Sequence, residues 1–143
     1  MARIKETMSS NGQIIHYGVG AVIERDGEYL LIDRAIEPSG HGCISGHINE
    51  GESPEEALIR EVKEEAGLKV TDYELILERK IKNRGCSRGR IPHYCYIFKC
   101  EVNGDIRKNP EEVKSIRWYS KEDIKKLKLE PLWKFFFKKI GII

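Results

Sequence analysis

Residues 18–24 read GVGAVIE and residues 29–33 read YLLID, two apolar runs split by Arg25-Asp26-Gly27-Glu28. Short apolar runs around an Asp-Gly dipeptide predict two central strands joined by a tight hairpin. Residues 37–42 carry Pro38, Ser39, Gly40 and Gly42, a breaker cluster that predicts a loop into a short strand at 43–45. A loop over 46–52 then feeds a helix with explicit punctuation. Ser53 is placed as N-cap, Pro54 at the first helical position, Glu56 as the closing member of a capping box and Gly67 as the stop. Within it Ala57, Leu58, Val62 and Ala66 form an apolar strip, and Glu61, Glu64 and Glu65 form the adjoining one, as a period of 3.6 residues dictates.

Beyond Gly67 the pattern turns extended. Residues 68–82 place Tyr73, Leu75, Leu77 and Arg79 on one parity, 83–90 (NRGCSRGR) read as a polar loop, and 92–102 alternate as a strand closed by an Asn103-Gly104 hairpin signal. A last strand at 115–119 precedes two short helices, one capped by Ser120 with Asp123 behind it, the other opening at Glu130-Pro131 and ending before Gly141. Strands outnumber helices and mix hairpins with one crossover. The architecture this predicts is α/β (α+β), a central mixed sheet sandwiched between helical layers.

Composition narrows the picture. A chain of 143 residues fits a single domain spanning 1–143 with a sizeable core. A net charge of +2 with 34% charged residues gives no electrostatic footprint for nucleic acid or a membrane surface. Cys43, Cys86, Cys95 and Cys100 show no zinc-type spacing, and the N-terminus has no apolar signal segment, so a reducing cytoplasm is the expected compartment.

The chemistry is concentrated in the carboxylates. Glu61, Glu64 and Glu65 sit at i, i+3 and i+4 near the end of the predicted helix. Like charges at that spacing repel by a few tenths of a kcal/mol per pair, about 0.2–0.5, and anions in a last turn oppose the helix dipole. A bound divalent cation resolves both conflicts. The surrounding residues complete the pattern G-x5-E-x7-R-E-U-x-E-E-x-G-U, with U aliphatic, on Gly46, Glu52, Arg60, Glu61, Val62, Glu64, Glu65, Gly67 and Leu68. Chance agreement at ordinary residue usage is roughly 10^-9 per starting point.

This box, over 46–68, resembles the signature of the Nudix (MutT-like) hydrolases, and the strand pair before it, LLIDRA and the later RWY extend the likeness across most of the chain. The resemblance implies a nucleotide-containing diphosphate substrate, such as a nucleotide sugar like ADP-ribose, a dinucleoside polyphosphate or a nucleoside triphosphate. Its phosphoanhydride would be cut by water with Mg2+ or Mn2+. It implies Glu61, Glu64 and Glu65 as metal ligands together with the backbone carbonyl of Ser45, since hard oxygen donors suit such ions. Arg60 and Glu52 would brace the loop against the helix, with direct substrate contact as the other role for Arg60. Gly46 would serve a tight strand-to-loop turn and Gly67 the helix stop. Glu111 and Glu112, before the last strand, fit the place of a general base, although a solvated acidic loop explains them equally well.

Elsewhere bland and sharp readings compete. Arg34 ends the second predicted strand where related proteins contact phosphate; a surface ion pair is the alternative. Arg84, Arg88 and Arg90 suit a clamp on terminal phosphates, a contact with RNA, or a solvated loop. Tyr94, Tyr96 and Phe98 share a parity and hence a sheet face, as core or as a stacking wall for a base. Trp133 with Phe135, Phe136 and Phe137 predicts a helix buried against its own domain or a partner copy, leaving monomer and homodimer open. His16, His41, His47 and His93 show no metal-like spacing, and His47, inside the box loop, is expected to be structural or solvated. Two other classes stand beside the hydrolase. One is a non-catalytic nucleotide-binding sensor, and the other is an enzyme like isopentenyl diphosphate isomerase, to which SGHINEGES is similar.

Overall fold

The hairpin forms where the Asp-Gly dipeptide places it. Strand β2 (Ile14–Arg25) turns into β3 (Glu28–Arg34) through Asp26 and Gly27 at φ 52° and 78°, the paired left-handed conformations of a type I′ turn. The computed structural model describes residues 3–35, 39–82, 85–86, 89–90, 92–111 and 113–143. Around the hairpin lie β1 (Glu6–Met8), β4 (His41–Gly42), β5 (Ile44–His47), β6 (Lys69–Ile81), β7 (Gly85–Cys86), β8 (Gly89–Arg90), β9 (His93–Asn103) and β10 (Val113–Ser120). The helices are α1 (Pro54–Ala66), α2 (Lys121–Ile124) and α3 (Pro131–Lys139).

Helix α1 begins and ends on its sequence signals. Ser53 Oγ accepts from the Glu56 backbone N–H at 3.1 Å while Glu56 Oε1 accepts from the Ser53 N–H at 3.0 Å, and Gly67 at φ 70° closes the other end. The main sheet runs β10-β3-β2-β9-β6, with β1 and β5 on β2 and β4 on β3. Strand β2 is its pivot, parallel to β9 from His16 to Ile23 and antiparallel to β5 from Gly18 to Ala21. The sheet is therefore mixed, and the fold is α+β.

Each face of the sheet carries its own core. Val19, Ala21, Ile23, Ile44 and Phe98 meet Ala57, Leu58, Val62 and Ala66 of α1. On the opposite face Val22, Leu31, Cys43 and Ile97 meet Ile124 of α2 and Trp133, Phe136 and Phe137 of α3. Trp133, Phe136 and Phe137 are thus buried within this chain, and Phe135 packs partly buried against them. Trp133 lies flat on two glycines: a Cβ at Gly20 would stand 2.6 Å from its ring, and one at Gly42 would stand 2.4 Å away.

Several expectations need correction. Asn103-Gly104 turns the chain, but β9 does not pair with β10; the latter pairs with β3, so no hairpin closes there. The parity assigned to 68–82 breaks where the register against β9 shifts between Leu75 and Leu77, because an inserted bulge residue moves later side chains to the other face. Tyr73 accordingly packs on Phe98 with ring centroids 5.8 Å apart, whereas Leu77 joins the α3 side. The polar stretch 83–90 contains a paired ribbon, Gly85 with Arg90 and Cys86 with Gly89. Arg84, Arg88 and Glu112 lie outside the described residues. Among the described residues no helix is long and apolar enough to cross a membrane.

Candidate active site

Arg60 organises the box. Its Nε donates to Glu52 Oε2 at 2.7 Å and its Nη2 to Glu52 Oε1 at 3.0 Å, a two-pronged pairing that spans loop and helix. Nη2 also donates to the His47 carbonyl at 2.8 Å, and Nη1 reaches Glu61 Oε1 at 2.8 Å and Glu64 Oε2 at 3.2 Å. The planar fork is thus occupied within the protein, holding loop, strand and two carboxylates in one arrangement.

Glu52 also accepts from the Asn49 N–H at 2.8 Å. The Arg60 hydrogen bonds hold its carboxyl below the usual glutamate range, with burial opposing. A depressed folded-state value stabilises the fold fully above the unfolded pKa of about 4.3 and loses that effect as pH falls through the folded value. Glu52→Gln is therefore expected to cost about 1.5–3 kcal/mol at pH 7, the range for one hydrogen-bonded charge. Urea unfolding of both proteins at pH 7 and at pH 3 checks this, since the gap should narrow in acid.

The three box carboxylates differ in depth. Glu65 is buried, the Glu61 side chain is 12% exposed and that of Glu64 is 53% exposed. Gly46, expected at a turn, instead lies within β5, and its role is to make room. A Cβ there would stand 2.2 Å from Glu61 Cδ, so any side chain at position 46 displaces that carboxylate. Ser45, one residue earlier, accepts from Trp133 Nε1 through its Oγ at 3.3 Å, tying α3 to the box strand. Oxygen donors within one helical turn, one of them buried where an isolated charge is costly, fit a hard divalent cation.

The segment after Gly104 caps the acidic end of α1. The Arg107 N–H donates to the Ala66 carbonyl at 2.6 Å and the Asn109 N–H to that of Glu65 at 3.4 Å. Glu111 follows in an exposed turn, its N–H bonded to Asn109 Oδ1 at 3.1 Å. Between helix end and segment lies a cleft of about 520 Å³ lined by Lys63, Glu64, Arg107 and Lys108 among others. Sequence reading passed over Arg107 and Lys108, which carry no motif and gain meaning only from this docking.

Arg34 ends β3 opposite Val113 and lines a second cavity, of about 80 Å³, with Ser45, Gly46, His47, His93 and Glu130. Glu130, read from sequence only as a helix start, is buried there. Burial pushes its carboxyl upward, and the Arg34 charge opposes that rise. His16, His47 and His93, which show no metal-like spacing along the chain, come together within 4.8 Å between ring nitrogens. The strand pairings that gather them have no signature in linear spacing. Phe98 is core, Tyr96 packs against it, and Tyr94 donates to Glu78 Oε1 at 2.6 Å. Cys43, Cys95 and Cys100 are buried. Burial raises all three thiols, Cys95 and Cys100 to about 12, so none supplies a thiolate at neutral pH.

A family model described as the NUDIX domain matches residues 15–138. A nudix hydrolase of Caenorhabditis elegans is 34% identical over 125 residues, covering 81% of this chain but 32% of its own length. The chain thus spans about a third of that relative. The CTP pyrophosphohydrolase of Escherichia coli (strain K12) is 30% identical over 118 residues, covering 79% of this chain and 82% of that protein. Among solved structures, a MutT NUDIX hydrolase from Burkholderia pseudomallei superposes with a TM-score of 0.66 at 26% identity, covering 76% of this chain and 84% of the other.

Proposed function

Since the chain belongs to the NUDIX family, we propose that it is a metal-dependent hydrolase of a phosphoanhydride in a nucleoside diphosphate linked to a further group. The observation that carries this reading is the holding of Glu61 and Glu64 by one Arg60 fork, with Glu65 buried one helical turn from Glu61 and Gly46 cleared for the Glu61 carboxylate. Glu61 and Glu65 would hold Mg2+ or Mn2+, with Glu64 and the Ser45 carbonyl completing the oxygen donors. When bound, such an ion offsets phosphate charge and lowers the pKa of a water.

The remaining work falls to the protein. Arg60 fixes the two outer carboxylates, so they need not reorganise when substrate arrives. Lys63, Arg107 and Lys108 place positive charge beside Glu64 in a cleft wide enough for a diphosphate, and Arg34 offers a further cation at the end of β3. Glu111 is exposed on the segment docked at the helix end and is the proposed general base, where it can take a proton from water.

The E. coli relative is named for CTP, which supports a nucleotide as the organic half of the substrate. A panel of nucleotide sugars, dinucleoside polyphosphates and nucleoside triphosphates, assayed with Mg2+ and with chelator, tests the reading. Metal-dependent release of a mononucleotide from at least one compound is expected. Binding without turnover across the panel overturns the hydrolase and leaves a sensor.

A further inference from the structure

We propose that His16, His47 and His93 form a second metal site, taking a borderline transition ion of the Zn2+ class and separate from the carboxylates of α1. Three strands deliver the ligands. His16 of β2 is the register partner of His93 in parallel β9, and His47 of β5 stands opposite Gly18, two residues along β2 from His16. Residues two apart on a strand share a face, so all three rings converge on the α3 side of the sheet. Ring centroids are 5.3, 5.4 and 5.6 Å apart.

Of the three ring nitrogens, which lie within 4.8 Å of one another, one pair already has the spacing of two ligands on an ion. His47 Nε2 and His93 Nε2 are 3.3 Å apart, and two ligands about 2.0–2.1 Å from a tetrahedral zinc are separated by about 3.3–3.4 Å. His16 is 1% exposed, and its Nε2 lies 2.7 Å from Glu6 Oε2. That carboxylate fixes the Nε2–H tautomer and leaves the lone pair on Nδ1. This nitrogen is buried and makes no hydrogen bond among the described residues. An imidazole oriented by a carboxylate on its far nitrogen is the usual second shell of a histidine-bound metal.

Donor chemistry separates the two sites. Imidazoles select zinc, nickel or copper, whereas magnesium takes oxygen. Strand geometry separates them too: Gly46 faces Glu61, and the next residue, His47, points to the opposite face of β5. His47 and His93 both line the 80 Å³ cavity, so a three-histidine ion would present its fourth position there. Its link to the box is the His47 carbonyl, held by Arg60 at 2.8 Å.

Cobalt substitution reads the site without any assay of turnover. The purified chain, saturated with Mg2+ to occupy the carboxylates, is titrated with Co2+ and followed by visible absorption. Tetrahedral d–d bands saturating at one Co2+ per chain are expected, with displacement by Zn2+. The bands should vanish in His47→Ala and His93→Gln and persist in Glu61→Gln and Glu65→Gln. Glu6→Ala, a change on the exposed β1, should weaken Co2+ binding about 10- to 100-fold, the usual effect of losing an orienting partner. This last variant keeps the test informative if a buried histidine replacement does not fold. Absence of bands in the wild-type protein overturns the site and leaves a hydrogen-bonded histidine trio. Bands lost with the glutamates but retained without the histidines overturn it equally.

Discussion

Glu65→Gln is expected to hydrolyse the best substrate of the panel roughly a thousandfold more slowly than wild type, and Glu61→Gln to fall comparably. The size follows from several kcal/mol of metal-derived stabilisation of developing charge, at 1.36 kcal/mol per tenfold. The effect should appear in kcat, because the ligand set acts where charge develops. A structural readout separates this from misfolding. At a hundredfold excess of Mg2+ over its Kd, the wild-type protein should gain about 2.7 kcal/mol of stability, and Glu65→Gln should gain little. In metal-free buffer the variant should unfold close to wild type, since it loses one charge from an acidic turn. Unchanged turnover in both glutamine variants would remove the carboxylates from the mechanism.

Trp133→Ala carries the largest expected loss of stability, about 3–5 kcal/mol for a fully buried tryptophan. The indole fills the space over Gly20 and Gly42 and donates to Ser45, so truncation opens a void and removes a hydrogen bond at the box strand. A denaturant midpoint shifted at constant m would register it. The seat on the glycines predicts a coupling as well. Gly42→Ala alone should destabilise through the clash with the ring, yet cost much less in the Trp133→Ala background, a non-additivity that a double-mutant cycle measures. Additive costs would show that ring and glycine do not share the space described.

What the sequence made legible was local. Ser53, Glu56 and Gly67 specify helix α1 because capping hydrogen bonds join residues three apart, and Asp26-Gly27 specifies the hairpin because backbone sterics are decided within the turn. The box was readable for the same reason, since one helix and its preceding loop hold Glu52, Arg60, Glu61, Glu64 and Glu65. What stayed hidden depends on pairing across distance. The histidine cluster needs β2, β5 and β9 in register, and Glu130 enters the Arg34 cavity only because α3 folds back over β4 and β5. The bulge at Ile76 reversed a face assignment, since one extra residue inverts an alternation that composition cannot reveal. Gly46 was read as a turn because glycine has two uses, and only the contact with Glu61 distinguishes them.

The central position of β2 has a consequence in time. Its hairpin with β3 closes over two residues, but its pairing with β9 joins His16 to His93, and parallel pairing across so long a separation must overcome a large loop entropy before it yields contacts. During synthesis the apolar edge of β2 therefore waits, unpaired on its β9 side, until β9 has left the ribosome. Helix α1 can form early on its own caps, yet β9 arrives late to complete the sheet against which α1 packs. The acidic turn would thus acquire its final geometry near the end of folding, so productive ion binding should report on completion of the sheet rather than on formation of the helix.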